Sequence, residues 1–239
     1  MATTTGIEDF ERPLTTVDVV IFTVLDEQLQ VLLVRRPDTP AEPFPKAWAL
    51  PGGFVDVAQD DTLLACARRK LFDKTGVTSP YLEQLGSWGG RTRDPRGWSA
   101  THAYFALLPA DSVQLKQEEG KPAQWHPVNA LSMEKPLAFD HAEILQAALE
   151  RLRSKVEYTS LPAFLLPEPF TLPQLQKVYE IVLGRPVDKS GFRTRALAAG
   201  FLNEHGLMDV GAPRPAMGYR LKDRSAAVYF PRTFSPRSS

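Results

Sequence analysis

Three stretches of this chain carry side chains suited to holding a phosphate. The first follows Leu50-Pro51-Gly52-Gly53-Phe54-Val55, where Arg69, Lys70 and Lys74 crowd one helical segment and Asp73 stands among them. The second is Gly90-Arg91-Thr92-Arg93-Asp94-Pro95-Arg96-Gly97-Trp98, read as a loop because Pro and Gly interrupt it. Planar guanidinium groups match phosphate oxygens in pairs, so such a loop suits a diphosphate. The third is Lys189, Ser190, Arg193 and Thr194, with Arg214 and Arg220 downstream. Spaced along one helix, these donors suit the base edges and phosphates of a duplex. Each stretch also has a plainer reading: lysines on an amphipathic helix, a solvated loop, or a basic domain that binds protein.

The elements that must position these groups follow from periodicity. Asp61 to Thr75 reads as a helix with Leu63, Leu64, Ala67 and Leu71 inward, and Gly76 stands where a left-handed cap belongs. Val17 to Leu25 and Gln30 to Arg35 read as a hairpin turning at Asp26-Glu27. A proline-rich loop, Arg35 to Phe44, leads to a strand at Ala47 to Leu50 that enters the glycines. Tyr81 to Gly90, Thr101 to Leu108 and Ala123 to Val128 supply further strands, which together predict a mixed α/β sandwich.

Phe139 to Tyr158 reads as one helix with Ile144, Leu145, Ala148, Leu152 and Val156 on a stripe, able to pack on its own domain or to pair with a copy of itself. Four prolines in Ser160 to Pro173 place a domain boundary there. The division expected is a flexible terminus over 1–14, a first domain over 15–158 and a second over 159–239. In the second, Thr171 caps a helix to Leu183 with Leu175, Val178, Tyr179 and Val182 inward. Gly184-Arg185-Pro186 breaks it, and Asp188 caps a helix from Lys189 to Asn203 with Phe192, Ala196 and Ala199 inward. Leu207 to Val210, Gly218 to Leu221 and Ala226 to Phe230 read as strands around Gly211 to Pro215, the outline of a winged helix-turn-helix.

A formal net charge of zero conceals an asymmetry: residues 1–150 hold 14 basic and 21 acidic side chains, and 151–239 hold 14 and 7. A basic second half suggests a polyanionic partner. One cysteine, Cys66, allows no disulfide within the chain, which fits a reducing cytoplasm. The start lacks the profile of a secretory signal, and no apolar run approaches the ~20 residues that cross a bilayer.

The stretch from Gly53 to Val77 resembles the Nudix box, G-x5-E-x7-R-E-U-x-E-E-x-G-U, where U is aliphatic. Counted back from Gly76-Val77, the family arginine falls on Arg69, the upstream glutamate on Asp61, and the three helix glutamates on Lys70, Asp73 and Lys74. The spacing to Gly53 is two residues longer than the pattern, so the loop Asp56 to Asp60 is expanded. In that family the glutamates hold divalent ions that polarise a diphosphate; lysines supply no lone pair and repel a cation. Asp18 to Val24, Trp48 to Val55, Arg93-Asp94-Pro95-Arg96-Gly97, Phe192 to Arg195 and Arg214-Pro215-Ala216 extend the likeness to the Nudix-related regulators of NAD metabolism, the NrtR family.

That resemblance implies an α/β (α+β) protein, a Nudix-like α/β/α sandwich followed by a C-terminal winged helix-turn-helix. It also implies a cytoplasmic homodimeric repressor on a palindromic operator, with ADP-ribose or a related nucleotide as effector and no cofactor required. The effector contacts expected are Arg36, Gly52, Gly53, Phe54, Arg69, Lys70, Lys74, Arg93 and Arg96; the DNA contacts are Lys189, Ser190, Arg193, Thr194, Arg195, Arg214 and Arg220. No catalytic or metal-ligating residue is assigned. The competing reading is a working hydrolase of a compound such as ADP-ribose, in which Asp61 and Asp73 share one ion.

Overall fold

The computed structural model describes residues 11–78, 81–115, 122–131, 137–209, 211 and 214–230. Its first sheet is built around β1 (Leu14–Leu25), whose residues alternate between two buried faces. Val17, Val19 and Ile21 pack with Cys66, Ala67 and Leu71, whereas Val20 and Phe22 pack with Ile144, Ala148 and Leu152. Burial on both sides is why the sequence here is apolar almost without a break rather than alternating.

Strand β2 (Gln28–Arg35) returns antiparallel through Asp26 and Glu27, at φ 51° and 56°. β3 (Trp48–Ala49) pairs with β2, and β4 (Gly52–Phe54) pairs with the first part of β1. Helix α1 (Leu63–Thr75) leads to β5 (Tyr81–Asp94) and β6 (Gly97–Leu107), and β6 runs parallel to β1. β7 (Ala123–Pro127) joins β2 and completes a seven-stranded mixed sheet. α1 covers one face of it and α2 (His141–Val156) the other.

The second domain holds β8 (Phe170–Thr171), α3 (Leu172–Leu183), α4 (Lys189–Ala198), β9 (Leu202–Met208) and β10 (Ala216–Leu221), with strand order β8-β10-β9. Thr171 and Gln174 form a reciprocal capping box at the start of α3, and the expected inward residues Leu175, Val178, Tyr179 and Val182 are buried. The stretch in which the boundary is expected is no open linker. Leu161 to Leu165 is a buried 3₁₀ turn within one apolar cluster that runs from Phe105 through Phe164 to Leu175 and Phe192.

Several expectations need correction. α1 starts at Leu63, because the Thr62 hydroxyl accepts the Ala65 N–H at 3.1 Å and leaves Asp61 outside the helix. The arginine stretch is not a loop: β5 and β6 continue through it to a turn at Pro95-Arg96, closed by Asp94, whose Oδ1 accepts the Arg96 N–H at 2.9 Å. α2 is shorter at both ends than Phe139 to Tyr158. α4 stops at Ala198, since Gly200 turns the chain at φ 69° and Leu202 begins β9. Ala226 to Phe230 makes only the single bridge Thr159–Tyr229, and β8 takes the third place in the small sheet. Residues 1–10 of the expected flexible terminus, and Val210, Ala212 and Pro213 near the wing, lie outside the described residues. Among the described residues no helix is long and apolar enough to cross a membrane.

Candidate functional site

The Gly52-Gly53 turn forms the floor of a cleft of about 370 Å³ walled by β1, the β5–β6 hairpin, α1 and the entry to α2. Gly52 lies opposite Asp18, so near that a Cβ would stand 2.0 Å from Asp18 Oδ1. Gly53 adopts φ 147°, and the Lys70 ammonium lies 3.0 Å from the place its Cβ would take. Only glycine satisfies both the close approach and the backbone conformation.

Of the contacts expected from sequence, Arg36, Gly52, Gly53, Phe54, Lys70, Lys74, Arg93 and Arg96 line this cleft. With Arg35, six cationic side chains meet three carboxylates in the lining: Asp18, Glu42 and Asp94. Each of those acids already holds an arginine. Arg36 is bonded to Glu42; Arg93 donates to Asp18 at 3.0 Å and to Asp140 at 2.8 Å; Arg96 donates to Asp94 at 2.8 Å. By count the lining carries more cationic than anionic side chains, which suits an anion.

Burial pushes the Asp18 carboxyl up, but His141, Thr101 and Arg93 outweigh it and hold the group below the usual carboxylate range. Burial acts the same way on Asp94, and the donors of Arg96 reverse it. Leu50 N–H donates to His141 Nδ1 at 2.9 Å, so the ring proton sits on Nε2, 3.5 Å from Asp18 Oδ2. Phe139 stands beside this pair at φ 56°, with Arg36 4.9 Å and Arg93 5.8 Å from its ring centre. Arg96 lies 5.0 Å over Phe54.

Asp18, Phe139, Asp140 and His141 are the participants that the sequence reading leaves out. Asp18 carried a signal: an acid within an apolar strand is tolerated only when it is paired.

Arg69 lies apart from the cleft. Its Nε donates to Asp60 Oδ1 at 2.8 Å and its Nη2 to Oδ2, while Asp73, exposed, approaches it at 4.0 Å. The acid that answers this arginine is Asp60, and Asp61, on which the upstream glutamate of the box pattern falls, is exposed. Bonds from Arg69 above all hold the Asp60 carboxyl below its ordinary value of 3.8. A depressed folded pKa gives stability that is present at neutral pH and is lost as pH falls below about 4. Arg69→Ala leaves a buried carboxylate without its charged partner, held by the Asp56 N–H at 2.9 Å, so we expect a loss of about 2 kcal/mol, discounted for the arginine's partial exposure. Thermal melts should show this loss at pH 7 and a smaller one at pH 3, with ligand affinity of the folded protein unchanged.

On the second domain, Lys189, Ser190, Arg193, Thr194 and Leu197 are exposed on α4 while Phe192 and Ala196 are buried. Arg214 is exposed near the β9–β10 connection, and Arg220 donates to His205 at 3.2 Å. Arg195 turns back from the basic face to donate to the Glu157 carbonyl at 3.4 Å. Arg153 donates to the Val182 carbonyl at 3.2 Å and Arg185 meets Glu157 at 2.7 Å, so the end of α2 is fixed to the base of α3 and α4.

A two-faced sheet with a Gly-Gly cleft and box helix, joined through a shared core to helix-turn-helix and wing, defines a Nudix domain coupled to a winged-helix domain. Models of the two families match accordingly: the NUDIX domain over residues 14–148 and the NrtR DNA-binding winged helix domain over 162–221. The ADPR responsive transcriptional repressor NtrR of Acinetobacter baylyi is 45% identical over 225 residues, covering 94% of this chain and 88% of that protein. The crystal structure of Shewanella oneidensis NrtR complexed with a 27mer DNA is 42% identical, with a TM-score of 0.83 over 92% of this chain and 99% of that one. The NUDIX domain of the same protein, complexed with ADP ribose, is 42% identical with a TM-score of 0.55, covering 62% of this chain and 94% of that one. The chain belongs to the NrtR family of Nudix-related regulators.

Proposed function

We propose that this protein is an ADP-ribose-responsive repressor of genes of NAD synthesis or salvage, acting in the cytoplasm as a homodimer on a palindromic operator. The Nudix domain is the sensor and performs no hydrolysis; the winged helix is the reader. The observation that carries this reading is the pairing, on one chain, of a cleft lined with cations around a Gly-Gly turn and an exposed basic face on α4.

Arg36, Arg93, Arg96, Lys70 and Lys74 grip the diphosphate, and the rings of Phe54 and Phe139 offer apolar faces beside it. Arg69 serves stability, and Arg195 orients α4 rather than touching DNA. Lys189, Ser190, Arg193 and Thr194 enter the major groove, and Arg214 and Arg220 meet the backbone near the wing.

Coupling runs along α2. Its N-cap Asp140 and first residue His141 are tied to Arg93, Asp18 and the Leu50 N–H, and the chain just beyond its last residue is tied to α3 and α4. Sixteen residues span ~24 Å. A diphosphate that draws Arg93 from Asp140 alters the seating of α2 and so the spacing of two recognition helices across the dimer. A tenfold change in operator occupancy needs only ~1.4 kcal/mol of differential affinity.

The test is a gel shift on the gene's own upstream region, with and without ADP-ribose or NAD. Retention that weakens steeply with salt and responds to ADP-ribose is expected. Failure to retain that DNA at low salt sinks the reader assignment, and release of AMP from ADP-ribose with Mg²⁺ or Mn²⁺ sinks the assignment of a silent cleft.

A further inference from the structure

The Nudix fold implies divalent metal, and the residues of this cleft do not fit one. Lys70 and Lys74, one turn apart on α1, both line the cleft. The Lys70 ammonium lies across the Gly53 turn, 3.0 Å from the place of the missing Cβ. Among the described residues, the acids of the lining and those from Asp60 to Thr75 are committed or displaced. Asp18, Glu42 and Asp94 in the lining each hold an arginine, Asp60 holds Arg69, and Asp61 and Asp73 are exposed outside the lining. Among the described residues no three His, Cys, Asp or Glu side chains stand together as metal ligands.

Mg²⁺ and Ca²⁺ need several oxygen ligands at once, and an ammonium close to the site repels them while donating no lone pair. The same ammonium is a compact point charge suited to phosphate oxygens. We infer that Lys70 and Lys74 replace the divalent cation, so that this cleft takes the diphosphate of a nucleoside diphosphate sugar on built-in positive charge, without metal. This rests on the sensor reading proposed above and adds to it the chemical form of the ligand: the metal-free anion.

Calorimetric titration with ADP-ribose in EDTA and again with excess Mg²⁺ reads the claim, together with inorganic pyrophosphate titrated in EDTA alone. Equal ADP-ribose affinity in both buffers, within about twofold, is the expected result. The double variant Lys70→Glu/Lys74→Glu should lose at least ~100-fold in EDTA and regain part of it with Mg²⁺ or Mn²⁺; Lys70→Gln/Lys74→Gln should lose affinity with no rescue by metal. Melting curves and retention of upstream DNA serve as folding controls for both variants. Tight ADP-ribose binding that EDTA abolishes in the wild-type chain overturns metal independence while leaving the sensor intact. Pyrophosphate bound in EDTA with ADP-ribose refused keeps the lysine assignment and removes ADP-ribose as effector. Refusal of both overturns the two readings together.

Discussion

Arg193→Glu is expected to abolish operator binding at physiological salt while leaving ADP-ribose affinity within about twofold of wild type. Arg193 is exposed on α4 beside Lys189, Ser190, Thr194 and Leu197, and the helix is fixed from behind by buried Phe192 and Ala196. No core contact depends on the side chain, so its reversal acts on the ligand of this face and not on the fold. A bidentate arginine–base pair is worth ~1–3 kcal/mol, and the homodimer proposed above would lose it in both half-sites. A carboxylate facing phosphates adds repulsion, so affinity should fall by at least ~100-fold. Fluorescence anisotropy with labelled upstream DNA across a salt series measures this. Wild-type affinity in the variant would remove α4 from the interface and shift attention to the wing.

The sequence made this face readable because a helix with Phe192 and Ala196 inward leaves its other positions to solvent by geometry alone. The same logic disclosed β1, the Gly-Gly turn and Thr171 as the N-cap of α3, each set by residues close in sequence; the reciprocal bond from Gln174 that completes the cap was not read. What lay beyond it was tertiary. Asp18 and His141 are far apart in the chain and meet because β1 and the entry of α2 border the same cleft. Arg69 resembled a ligand contact by family position, but its direction was decided by Asp60 in an expanded loop. Pro95 and Gly97 suggested a loop; the Asp94 carboxylate closes a two-residue turn there, and the strands continue to its edge. Arg195 directly follows the expected base readers Arg193 and Thr194, yet the helical period carries it round to Glu157.

Arg96→Glu should produce the converse phenotype: a repressor that still binds DNA but no longer hears ADP-ribose. Arg96 stands at the hairpin turn, its guanidinium bonded to Asp94 and 5.0 Å over the Phe54 ring, with 38% of its side chain open to the cleft and solvent. A charged hydrogen bond to a phosphate contributes ~1.5–3 kcal/mol, and a carboxylate in its place opposes the anion as well, so affinity should fall by at least ~100-fold. The substitution also strips the buried Asp94 of its guanidinium partner and leaves it the backbone N–H at 2.9 Å, which lowers the melting temperature. Arg96→Gln separates the two effects, since it keeps an N–H donor for Asp94 and removes only the charge; about a tenfold loss of affinity with a near-normal melt is expected. A folded Arg96→Glu protein that binds ADP-ribose as wild type does would take the diphosphate out of this cleft. Loss of DNA binding in the folded Arg96→Gln protein would show instead that sensor and reader are not separable sites.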